Sequence, residues 1–296
     1  MRAKLLVVFG ILLCVAASDV RAQRQFSVFA SIVDAFGASV DALEPSDLRV
    51  MENGVEAKVV SVEPMKWPTK VQLLLDNGIG LGATNVTQLK NGVVGLLDAL
   101  PPGVEVTIVS TAPQPRFLAR ATADRAAMQK GLALLSPDGG TGRFVEGLSD
   151  ATQRIERDKG DYFPVIVMVG TTSGDRNVLD SDVERLMKRL AQRPTMVHVV
   201  LLSGQAQASV GNQIEVGLAV TKYTGGQFDS INSPTRLATL LPEIGELVAV
   251  THENQGQQFR ITIERPADAS GDLGTVSMGG RPGLTVKALS LDRRIP

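Results

Sequence analysis

The chain has 296 residues, 44% of them hydrophobic, enough to build the core of one large or two modest domains. Its 30 basic and 31 acidic residues nearly balance, which lacks the basic excess of a nucleic-acid protein. A single cysteine, Cys14, two histidines, His198 and His252, and 4% aromatics exclude thiolate zinc clusters, disulfide frameworks, cysteine–histidine catalysis and stacking platforms for bases.

Residues 1–22 have the pattern of a secretory leader. Arg2 and Lys4 give a positive start, Leu5 to Ala17 form an apolar run of 13 residues, and Val20-Arg21-Ala22 is a small-residue exit. Cleavage near Ala22 would send the chain to the periplasm or outside the cell, with no cysteine left and a net charge of about −3. Leu12 and Leu13 stand before Cys14 where a lipoprotein would carry small residues. The run is too short to span a bilayer, which takes roughly 20 residues, and no later stretch is expected to do so.

Residues 23–68 are expected to form a small β module. Phe26 to Val33 is rich in β-branched and aromatic residues, and Asp34-Ala35-Phe36-Gly37 supplies a turn. Asn53-Gly54 between two further strands is a hairpin signal, because both residues tolerate positive φ. Beyond Pro64, Trp67 and Pro68, residues 69–252 alternate strands with helices. Strands are expected at Lys70–Asp76, Val104–Ser110, Pro164–Val169 and Met196–Leu202, with a short edge strand at Phe117–Ala121. Helices are expected around Val86–Leu100, Ala123–Leu135, Phe144–Arg157, from a capping box at Ser181–Glu184 to about Arg193, from near Asn212 to a glycine cap at Gly225, and over Thr235–Val250.

This order predicts an α/β fold, a Rossmann-like, doubly wound, mostly parallel sheet. Residues 253–296 return to β, with strands at Gln258–Glu264 and Leu284–Leu289, and are expected to pack with the 23–68 segment as one module.

Ligands of an open α/β sheet bind beyond the carboxyl ends of its strands. Three loops leave those ends: Asp76-Asn77-Gly78-Ile79-Gly80, Asp138-Gly139-Gly140-Thr141-Gly142-Arg143, and Gly170-Thr171-Thr172-Ser173-Gly174-Asp175. Together with Leu218 to Phe228, which carries Thr224-Gly225-Gly226, these loops resemble those of a von Willebrand factor type A (VWA) domain. Val33 to Gly37, Leu43 to Leu48 and Met51 to Gly54 are similar to the β preamble of the bacterial secreted "VWFA-related" family.

The resemblance implies a metal-ion-dependent adhesion site built from an Asp-x-Ser-x-Ser loop, a threonine and a third-loop aspartate, which give Mg²⁺ oxygen ligands. Asp76 and Thr141 match that pattern, while Gly78, Gly80 and Gly170 replace its serines and second aspartate. The binding loops are therefore expected at Asp76, Asn77, Gly78, Gly80, Thr141, Gly170 and Thr171, with no metal and no other cofactor. Thr171 or Asp175 remains the alternative oxygen donor from the third loop. A simpler reading has Asp76 accepting hydrogen bonds from its own turn and Thr141 capping a helix.

The run Gly78 to Gly82 is a partial match to a phosphate-cradling loop and leaves a nucleotide-binding Rossmann-like enzyme as an alternative. No G-x-S-x-G elbow and no Walker loop occur. Arg185, Lys188, Arg189 and Arg193 are expected on a solvated helix face. The function expected is a non-catalytic module binding a protein, matrix or envelope component. A scaffold acting through its β module is a third possibility.

Overall fold

The computed structural model describes residues 25–292 except 39, 41, 66, 174–178, 194, 204–211, 254–257 and 270–272, and without the side chains of 253 and 287–292. The leader expected at 1–22, the cleavage point near Ala22, and Gly174 and Asp175 lie outside the described residues. No helix among those described is long and apolar enough to cross a membrane.

Among the described residues, twelve strands form two six-stranded sheets. The first contains β1 (Gln25–Asp34), β2 (Leu48–Glu52), β3 (Val55–Pro64), β10 (Gln258–Glu264), β11 (Val276–Gly280) and β12 (Leu284–Asp292). Its order, β11-β2-β3-β10-β1-β12, interleaves the two ends of the chain, and its neighbouring strands pair antiparallel. Asn53 (φ 51°) and Gly54 (φ 82°) make the β2–β3 turn, the left-handed geometry that a two-residue hairpin requires.

The end strands β11 and β12 are joined by a tight turn in which the Leu284 N–H donates to the Arg281 carbonyl at 3.1 Å. The sheet therefore curls until its ends meet. Val28, Ala30, Ile32, Val50, Phe259, Ile261 and Ile263 fill its inside. Strand β11 was absent from the sequence expectation because Val276–Gly280 (VSMGG) ends in two glycines and is half exposed, so it carries little strand signal.

The second sheet comprises β4 (Thr69–Leu75), β5 (Glu105–Ser110), β6 (Arg116–Thr122), β7 (Phe163–Thr171), β8 (Met196–Leu202) and β9 (Phe228–Ile231). Its order is β6-β5-β4-β7-β8-β9, with only β6 antiparallel. Helices α1 (Val86–Ala99), α2 (Arg125–Ala133) and α6 (Leu237–Glu253) cover one face, burying residues such as Leu73, Leu89, Val93 and Leu241. Helices α3 (Phe144–Arg157), α4 (Asp180–Leu190) and α5 (Gln213–Thr224) cover the other over Leu74, Ile166, Met168 and Val199. Each such side chain, fully removed from water, contributes roughly 1.5–3 kcal/mol before entropy is counted. Strand β7 is buried along its whole length, as a central parallel strand must be.

Three local expectations are corrected. Helix α4 begins after Leu179, not at a Ser181 cap, and it is Asp182 that accepts from the Leu179 N–H at 3.3 Å. Arg193 lies beyond α4 and is 5% exposed. Its guanidinium donates to the carbonyls of Ile155, Asp158, Gly160 and Tyr162 and stacks on Tyr162, so it organises the α3–β7 connection instead of a solvated face. His252 lies in the last turn of α6, where its Nδ1 is 3.0 Å from Thr69 Oγ1.

The two sheets meet through Phe29, Met65, Trp67 and Phe163, with Trp67 edge-on to Phe29 at 5.3 Å. Phe163 opens β7 and its N–H donates to the Pro68 carbonyl. The curled sheet therefore abuts the amino ends of the parallel strands. Their carboxyl ends, and the loops that leave them, point away from it.

Candidate functional site

In this strand order the winding reverses between β4 and β7, and the crevice for a ligand opens at their carboxyl ends. Register pairs Leu75 with Val169, so Asp76, which follows β4, lies level with Gly170. The Asp76 N–H donates to the Val169 carbonyl at 2.8 Å.

Asp76 is 3% exposed. Its Oδ1 accepts from the Gly78 N–H at 2.8 Å, and its Oδ2 accepts from the Thr171 hydroxyl at 2.9 Å. The Thr171 backbone N–H donates to the same carboxylate. No lysine or arginine faces it among the described residues. Burial raises the Asp76 carboxyl above the ordinary range, and the donors from Gly78 and Thr171 only partly oppose the shift.

Backbone closes over this carboxylate. A β-carbon at position 142 would overlap both Asp76 oxygens. One at 78 would lie 2.6 Å from the Gly140 carbonyl and 2.8 Å from the Gly142 nitrogen. One at 80 would overlap the Thr171 hydroxyl and lie 2.6 Å from Ser173 Oγ. Gly78 and Gly80 thus do more than remove two hydroxyls: neighbouring loops fill the space that serine side chains would need.

Asn77 ties the loops together. Its Nδ2 donates to the Ser136 carbonyl at 2.8 Å, its Oδ1 accepts from the Ala112 N–H at 3.2 Å, and its own carbonyl accepts from the Asp138 N–H. The polar atoms of Asn77 are spent inside the protein.

Of the third-loop residues, Thr171 reaches Asp76. Position 170 faces the other way: a β-carbon there would meet Phe144 at 3.0 Å and Leu201 at 3.2 Å, so a carboxylate at 170 would be driven into apolar packing. Thr141 is exposed, and α3 starts after Arg143 with no side-chain cap, which corrects the expectation that Thr141 caps it. Sequence reasoning missed the buried hydroxyls of Thr111 and Ser173, which have no hydrogen-bond partner. Thr111 directly follows β5, and that placement was its only signal.

The residues present do not fit the family's magnesium ion. Near-octahedral oxygen coordination would start here from one carboxylate whose two oxygens already accept hydrogen bonds and whose approach is closed by Gly142. Gly78 to Gly82 fits phosphate no better, since the N–H groups of Gly78, Ile79 and Leu81 donate to Asp76, Gly140 and Gly78. His198, 2% exposed, accepts from the Gln227 N–H, and burial lowers it to about 4, so it is a neutral core residue far from these loops.

The same end of the molecule exposes apolar side chains. Ile79 in the first loop is 60% exposed and Leu179, at the start of α4, 63%. Leu134, 65% exposed, caps α2, which runs back towards this end after the antiparallel β6.

No family model and no curated protein matches the sequence. Solved structures do. The von Willebrand factor type A protein from Catenulispora acidiphila aligns over 92% of this chain and 74% of its own at 12% identity, with a TM-score of 0.52. Proximal thread matrix protein 1 from the mussel byssus aligns over 64% of this chain and 50% of its own at 18% identity, with a TM-score of 0.49. The VWA domain of SpRpn10 aligns over 61% of this chain and 97% of its own at 15% identity, with a TM-score of 0.48. Strand order, the placement of Asp76 at the reversal of winding, and the first of these likenesses establish that the chain has the fold of a von Willebrand factor type A domain.

Proposed function

We propose that this protein is a secreted or periplasmic binding module of the bacterial VWFA-related kind. It engages a protein, matrix or envelope component through the loops that follow β4 and β7 and the loop that precedes α3, without a metal ion and without catalysis. The observation that carries this reading is the pairing of a sealed Asp76 with exposed Ile79, Leu134 and Leu179 at one end of the fold. Exposed apolar side chains supply the contact area that a bridging cation would otherwise organise. The nucleotide-enzyme alternative needs free N–H groups in the Gly78–Gly82 loop, and those of Gly78, Ile79 and Leu81 are already engaged.

Two measurements test the reading. Thermal melting with Mg²⁺, Mn²⁺ or Ca²⁺ should show no shift; a rise of several degrees that vanishes in Asp76→Ala overturns the metal-free part. Capture of envelope components by the full chain should fall with Ile79→Asp and Leu179→Asp. Phe36, 95% exposed in a turn of the curled sheet, favours the scaffold reading, so loss with Phe36→Asp alone would move the contact there.

A further inference from the structure

Among the described residues, the arginines outside β6 and α3 meet a carboxylate or a group of carbonyls. The exceptions gather where the edge strand β6 meets α3. Phe117 on β6 is 41% exposed. The Arg120 guanidinium lies 4.8 Å from the centre of its ring and that of Arg154, from α3, lies 5.4 Å away. Arg157 is exposed one helical turn beyond Arg154, and neither Arg120 nor Arg157 has an ion-pair partner. Arg154 is held by Gln72, its Nε donating to Oε1 at 2.8 Å, while its Nη2 is buried without a partner. Asp150, a turn earlier on α3, is the acidic group that tempers Arg154.

A chain with a net charge of −1 does not leave arginines unpaired around an aromatic ring for lack of carboxylates. The ring orients the exposed Arg120 guanidinium, which lowers the entropy lost when it receives a carboxylate bidentately, while the half-buried Arg154 adds its charge beneath the surface. We propose that Phe117, Arg120, Arg154 and Arg157 form a docking surface for a carboxylate-rich segment of a partner protein, separate from the loops at the strand ends. Carboxylates suit the guanidinium forks, and the overall charge balance gives no field to hold a nucleic acid. Arginines on an edge strand also discourage sheet-to-sheet aggregation, but that role does not require Arg154 and Arg157 on the neighbouring helix.

The test is fluorescence anisotropy of the full chain with a labelled peptide alternating glutamate and serine around a central tyrosine, beside the same peptide with glutamine for glutamate. The glutamate peptide should bind, weaken with salt, and lose about tenfold in affinity in Arg120→Glu/Arg157→Glu. Reversal of Arg49 and Arg281, exposed and paired elsewhere, should leave binding unchanged. Equal binding of the two peptides by the unmutated chain overturns the proposal, whatever the variants do. Unchanged affinity in a folded Arg120→Glu/Arg157→Glu protein overturns it too. An oligonucleotide of equal charge binding as tightly as the peptide overturns the assignment to a protein segment.

Discussion

Glu52 and Asp76 are buried carboxylates, 2% and 3% exposed, one on a strand of the curled sheet and one just beyond a strand of the parallel sheet, and their surroundings have opposite consequences. Glu52 closes the curled sheet. Arg265 Nε and Nη2 grip it at 3.0 and 2.6 Å, and the Gly274 N–H donates to it. The guanidinium hydrogen bonds hold its carboxyl below the usual range. Asp76 has only uncharged donors, and burial raises it. A charge removed from water can be offset by a counter-charge or by fixed dipoles. Only the second leaves a loop cluster whose shape depends on the carboxylate without tying it to another ion.

Mutations can break that contrast. The largest effect is expected at the ion pair: Arg265→Ala strands Glu52 and should cost about 3–5 kcal/mol, read as a lower denaturant midpoint. Next is Gly142→Ala. Its new methyl would overlap carboxylate oxygens that Gly78 and Thr171 hold in place, and overpacking of this kind costs roughly 1–3 kcal/mol. Thr171→Val keeps the shape and deletes one donor to Asp76, which should cost about 1.5–3 kcal/mol if the carboxylate is ionised and less below its titration; urea unfolding at two pH values separates the cases.

Gly78→Ser/Gly80→Ser restores the family's hydroxyls on paper. Here it should destabilise the protein without creating Mg²⁺ affinity, because Gly140, Thr171 and Ser173 occupy the space. Calorimetric titration with Mg²⁺ checks it, and measurable binding would show that the loops can part.

The smallest effect is the pH profile. A carboxyl lowered in the folded state stabilises above its unfolded value, so the contribution of Glu52 is lost as pH falls. A raised one stabilises below its unfolded value, so that of Asp76 is lost as pH rises through its folded value. Thermal melting of Asp76→Asn and Glu52→Gln against the unmutated chain, followed downward from about pH 4 for Glu52 and upward from it for Asp76, should give difference curves of opposite slope. Parallel curves would remove the contrast.

The loops were legible in sequence because Asp76, Thr141 and Gly170 follow or precede apolar runs at the spacing of the VWA pattern. What each residue does there was not. Thr171 was one of two alternatives, beside Asp175, and its partnership with Asp76 spans a separation of 95 residues that no local pattern encodes. Asn77 was read as a binding residue, yet its side chain fastens the loops to one another. The arginines around Phe117 come from a strand and a helix far apart in the chain, so no sequence window contained them.

The sequence by itself determined the succession of elements, because burial imprints a period of two on strands, near-continuous apolar runs on central parallel strands, and a period of 3.6 on helices. It also determined the hairpin at Asn53-Gly54, where positive φ is a local demand. Tertiary structure alone decided that the curled sheet closes, that Gly170 faces Phe144 while Thr171 faces Asp76, and that Gly142 seals the carboxylate. These outcomes depend on strand register and on sub-ångström clearances between segments distant in the chain, and neither leaves a trace in local composition.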